Sequence, residues 1–183
     1  MLVAQQKQKE NIAEYIIYMY QIEDIIRAYN FDVEAILDNY VRPQLPDASF
    51  IEQYRTWYSS LIAEMRSAKI EKTGHLPSLQ EIMIELSYLH NTMVNLTKDV
   101  HYVPVYESAA PYIEEFQEKS DQKDKNHTEA AFQAIYMKLL LRLQKKEISA
   151  ATEEAFDAMR VMIAYLSQSY KKMKEGDLDF LSN

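Results

Sequence analysis

Two glycines in 183 residues constrain this chain more than any motif it carries. Tight hairpin turns lean on positive φ angles, which glycine adopts without steric cost. A chain this poor in glycine has little material for such turns, whereas helices need glycine only at their ends. Pro43, Pro46, Gly74, Pro77, Pro104 and Gly176 fall between periodic stretches rather than inside them, as helix boundaries do. The expected fold is all-α, a bundle of six to eight helices with mostly antiparallel neighbours, because most connections are short.

Apolar spacing places the helices. A first helix is expected from about Val3 to Tyr29, with Ile12, Tyr15, Ile16, Met19, Ile22 and Ile26 on one face and Tyr18, Ile25 and Tyr29 widening it. A stripe this broad implies packing on more than one side. Asp32 caps a short second helix to Tyr40, and Asp47 a third that carries Tyr54, Tyr58, Leu61, Ile62 and Met65 and stops at Gly74. Ser78 and Glu81 have the spacing of a capping box for a fourth helix with Leu79, Ile82, Met83, Leu86, Leu89, Met93 and Thr97 on its inward stripe. A fifth helix starts near Val103 or at Ser108. A sixth, Thr128 to Lys146, points Ala131, Phe132, Ile135, Tyr136, Leu139 and Leu143 inward. Ser149 caps the last, which buries Ala155, Phe156, Met159, Met162, Ile163, Leu166, Tyr170 and Met173 and ends at Gly176, with Leu178, Phe180 and Leu181 docking back. The chain reads as one domain, 1–183, with a weak boundary within the polar stretch 117–127.

Several function classes are disfavoured. The net charge of −8 opposes nucleic-acid binding, which is mostly phosphate neutralisation by Lys and Arg. The lysines at 145–146 and 171–174 sit where cations offset a helix dipole. Without cysteine there is no disulfide, thiol nucleophile or Cys-based zinc site. The start is polar where a signal peptide turns apolar, and no apolar run approaches the roughly twenty residues of a membrane span. The expectation is a cytoplasmic protein with neither membrane nor nucleic-acid partner.

Chemistry-bearing patterns are sparse. Glu114-Glu115-Phe116-Gln117-Glu118 and Glu154-Ala155-Phe156-Asp157 loosely match the magnesium-holding acids of all-helical nucleotide pyrophosphohydrolases. Glu118 and Asp157, however, lie about 160° from their helices' apolar centres, on solvated faces. No histidine follows a glutamate by three residues, as a di-iron bundle requires, and no phosphate-cradling or nucleophile-elbow motif occurs. No cofactor or metal is expected. What remains is a set of polar residues inside apolar stripes: Glu23, with Arg27 one turn on, Arg55, His90 and Arg142. Buried charge is costly unless paired, so these residues either form a structural ion-pair network or line a polar pocket able to hold a small anion or polar metabolite.

The stretch from Gln5 to Tyr29, QQKQKENIAEYIIYMYQIEDIIRAY, resembles the start of an uncharacterised bacterial all-helical family catalogued as a domain of unknown function. The resemblance implies a bacterial cytoplasmic protein of this length; it carries no activity, cofactor or site residue. Two functions are carried forward. One is a non-enzymatic helical protein that self-associates or binds a partner protein, resting on the breadth of the first apolar face. The other is a small-molecule-binding protein or enzyme using a polar pocket around Glu23 and His90, which requires Glu23, Arg55, His90 and Arg142 to converge.

Overall fold

A computed structural model describes residues 2–120 and 122–177; the expected docking of Leu178, Phe180 and Leu181 lies outside them. Eight α-helices make up the described fold: α1 Leu2–Glu10, α2 Ile12–Ala28, α3 Val33–Ile36, α4 Ile51–Ser67, α5 Pro77–Asn91, α6 Tyr102–Lys119, α7 His127–Leu143 and α8 Ala150–Lys174. Single π turns extend α3 (Leu37–Val41) and α5 (Thr92–Leu96), and short 3₁₀ turns at Arg42–Gln44 and Ala48–Phe50 lead into α4. No strand occurs among the described residues. None of the described helices is long and apolar enough to cross a membrane.

The longest helix, α8, packs against α2, α5, α6 and α7. It buries Phe156, Met159, Met162, Ile163, Leu166 and Tyr170 of the stripe expected of it, while Ala155 and Met173 are half-buried. Met162 and Leu166 are completely enclosed, and burial of this kind is worth about 1.5–3 kcal/mol per side chain. One hydrophobic cluster runs through all of this and draws on residues from both sides of the 117–127 stretch. The breadth of the first apolar face is accounted for within the chain: α2 packs against α1, α3, α7 and α8 at once.

Local departures have local causes. The expected first helix is two, because Asn11 adopts an extended backbone and its side chain accepts the N–H groups of Ala13 and Glu14. The third helix does not stop at Gly74. Lys69 takes the left-handed conformation (φ 57°), and Lys69 and Ile70 donate back to Arg66 and Met65 in a Schellman pattern. Gly74 has φ 98° within the following loop instead. The capping box at Ser78 does not form, since α5 begins two residues earlier, with Leu76 at the cap and Pro77 in the first turn. Asp99 accepts the N–H groups of His101 and Tyr102, so α6 starts at Tyr102 and carries Pro111 inside it. On α7, Ala131, Phe132 and Tyr136 are buried as expected, joined by Thr128, Ala130, Ala134 and Lys138, while Ile135 and Leu139 are half-buried and Leu143 is exposed.

Candidate functional site

The expected caps and stripes deliver Glu23 to an unexpected partner. It lies on the buried side of α2, where its carboxylate is fully enclosed. Oε1 accepts the backbone N–H of Leu76 at 2.7 Å, and Oε2 lies 2.6 Å from His75 Nδ1. Leu76 has no side-chain oxygen to cap α5, so Glu23 supplies the capping acceptor from across the core. Its negative charge then sits at the positive end of the α5 dipole. The expected pairing of Arg27 with Glu23 does not occur. Arg27 reaches Asp24 at 3.0 Å and donates to the carbonyls of Ile70 and Gly74. Two side chains of α2 thus fix the segment that carries His75.

His75 is held on three sides. With Nδ1–H donated to Glu23, Nε2 is the acceptor for the Gln133 amide, 2.8 Å away on α7. The Tyr20 ring covers one imidazole face, with centroids 3.7 Å apart and planes 17° from parallel. Tyr136 meets Tyr20 edge-on at 5.5 Å and donates its hydroxyl to Asp24 at 2.6 Å. Burial first, then Asp24 and Glu23, pushes the Tyr136 phenol upward, and burial, Glu23 and Glu129 do the same for Tyr20, so both stay protonated across the physiological range.

The His75 side chain is nevertheless 27% exposed, and a cavity of about 300 Å³ opens over it. Leu79, Met83 and Ile84 of α5 form its apolar wall; Gln80, Gln133, Lys125 and Glu129 bring amides and one charge of each sign.

The other expected site residues lie elsewhere. His90 is buried between α5 and α6, with Nδ1 2.8 Å from the Tyr102 hydroxyl and its ring edge-on to Tyr106 at 4.6 Å. Burial, helped by the positive charge of His127, lowers its pKa to about 4. Arg55 pairs with Glu52 and Glu34 at the surface. Arg142 pairs with Glu153, also at the surface, because the buried face of α7 is turned away from it. The convergence of Glu23, Arg55, His90 and Arg142 is therefore not found: Glu23 and Arg27 share a site, and the other three each have a separate one. The acids Glu114, Glu115, Glu118, Glu154 and Asp157 are exposed.

Sequence reading missed His75, whose carboxylate partner is 52 positions away. The available signal was Glu23 itself, an acid in an apolar stripe, which required a donor from some other segment.

The chain belongs to the family described as Domain of unknown function (DUF4924), whose model matches residues 1–177. No curated protein and no solved structure matches it.

Proposed function

We propose that this member of the family is a binding protein for a small polar molecule, taken up in the cavity over His75. The supporting observation is the way His75 is held: a fully buried carboxylate, a stacked tyrosine and an amide fix an imidazole that still faces an open cavity. Fixing a partly exposed ring so tightly is what a preorganised site needs, since ordering costs are then met before the ligand arrives. Both ring nitrogens are engaged, so the imidazole is presented as a binding surface rather than freed as a general base.

The test is a fragment screen observed on the protein by NMR, with Ile84→Arg as the control. Ile84 lines the cavity yet is 69% exposed, so an arginine there obstructs the mouth without entering the core. Hits should shift His75, Gln133 and Met83 together and lose affinity in Ile84→Arg. Hits scattered over the surface, or equally strong in the variant, would sink the proposal.

Association through apolar surface is a second reading, supported by Ile84 and Tyr88. They lie one turn apart on α5 and are about 70% exposed. Sedimentation velocity across a hundred-fold range of concentration decides it: a constant monomer mass removes self-association.

A further inference from the structure

We infer that the cavity over His75 takes a planar, uncharged heterocycle with hydrogen-bonding edges, of the nucleobase type, stacked on the imidazole. This rests on the binding proposed above and adds the chemical class of the ligand. The inference follows from what remains open on His75. Tyr20 covers one face, Glu23 occupies Nδ1 and Gln133 occupies Nε2. With no ring nitrogen left free, a ligand has the second face and the carbon edge of the ring to rest on, beside Tyr20, which also lines the cavity. A ligand there cannot take a hydrogen bond from either ring nitrogen without breaking one already made. It can extend the Tyr20–His75 stack as a third layer.

The rest of the cavity suits a flat guest. Met83 and Ile84 present thioether and aliphatic surface on the α5 side, and sulfur packs well against aromatic rings. The Gln80 and Gln133 amides each commit one N–H to His75, Gln133 at Nε2 and Gln80 at the carbonyl, and keep a second N–H and an oxygen to match a heterocycle's edge. Lys125 and Glu129 both line the cavity, so their charges cancel and no excess of either sign favours a phosphate, a polycarboxylate or a polyamine. A sugar brings a C–H face but no π system or planar hydrogen-bonding edge, and a free amino acid carries two full charges on its backbone groups.

The experiment uses the full chain with histidine labelled in the ring. Adenine and uracil are the probes; ribose and glycine are the controls. Isothermal titration calorimetry reads affinity, and the His75 ring protons read geometry. Adenine is expected to bind saturably and to move the His75 ring protons upfield, the signature of a ring current above the plane. His75→Ala is expected to weaken adenine about ten-fold, the usual loss when a stacking partner is removed. His75→Ala leaves Glu23 without its imidazole partner and risks misfolding, so Ile84→Arg, confined to the cavity mouth, is expected to weaken adenine as well. If ribose or glycine binds at His75 and the heterocycles do not, the ligand class is wrong while the binding site stands. If adenine binds with downfield or unchanged His75 ring protons, the stacking geometry is wrong. If neither heterocycle shifts His75 at millimolar concentration, the inference is overturned; if no fragment of any class shifts it either, the binding function falls with it.

Discussion

Acidifying this protein from pH 7.5 to pH 5 should cost it about 2 kcal/mol through His90 alone. In the unfolded chain the imidazole takes up a proton near 6.5; in the fold, burial and the charge of His127 lower that to about 4. Between these values the unfolded state binds more protons, so stability falls as pH falls. The contribution is complete above 6.5, declines through the window and is lost below 4. The 2.5-unit gap corresponds to about 3 kcal/mol over the whole window, at 1.36 kcal/mol per unit, of which about two-thirds is gone by pH 5. The geometry explains why the charged form is unwelcome. The ring has Tyr102 as its hydrogen-bond partner, and its tilted neighbours are Tyr102 and Tyr106, with no carboxylate among them. Urea unfolding followed by circular dichroism at pH 7.5, 6 and 5 measures the effect in the wild type and in His90→Gln, which keeps hydrogen-bonding capacity without titrating. Every other ionisable group is common to both proteins, so the difference isolates His90. His127, which contributes to the lowered pKa, is checked by repeating the pair in a His127→Gln background. The variant should gain about 2 kcal/mol relative to wild type between pH 7.5 and 5. Parallel pH profiles would refute the account of His90 as an imidazole held neutral by burial.

Three further changes probe the fold and its site. Glu23→Ala strands the Leu76 N–H and the His75 imidazole, and should lower stability by about 3 kcal/mol in thermal unfolding; a loss below about 1 kcal/mol would mean the segment holds without its carboxylate. Lys69→Gly relieves a left-handed residue at the end of α4 and should stabilise by about 0.5–1 kcal/mol in urea melts, whereas destabilisation would contradict the positive φ. On α7, Ala134→Leu should cost about 1–3 kcal/mol by overpacking, while Leu143→Lys stays within about 0.5 kcal/mol. The reverse order would mean that α7 is rotated.

How much was legible in the sequence depended on whether the cause was local. Asp32 and Ser149 cap their helices through their own side chains, within three residues, and both were readable. The α8 stripe was readable because its large apolar residues are also its buried ones. On α7 the two agree at Phe132 and Tyr136 and part towards its end. Alanines occupy the closest contacts because they let neighbouring helices approach, so a face chosen by hydrophobicity drifts towards Leu143 and carries Arg142 inward with it. Lys69 has no side-chain reason to adopt a left-handed φ; helix termination imposes it. For the site, the sequence held half of the pair. Glu23 stood out as an acid among isoleucines, but His75 sits in a polar loop where nothing local distinguishes it. His90, which occupies an apolar stripe, meets the Tyr102 hydroxyl and the rings of Tyr102 and Tyr106 edge-on rather than a carboxylate.

The segment from Ile70 to Leu76 connects two helices, yet it is anchored mainly by a third. Glu23 grips it at His75 and Leu76, and Arg27 at Ile70 and Gly74. In hydrogen-exchange terms, the Leu76 amide belongs to α2 as much as to α5: it can reach solvent only when the Glu23 carboxylate lets go. The same release frees one edge of the His75 ring and the backbone beside it. Loss of the cavity wall and loosening of the loop from α2 are therefore one cooperative opening, and a guest resting on His75 would slow exchange of the Leu76 amide through the Glu23 carboxylate that both share.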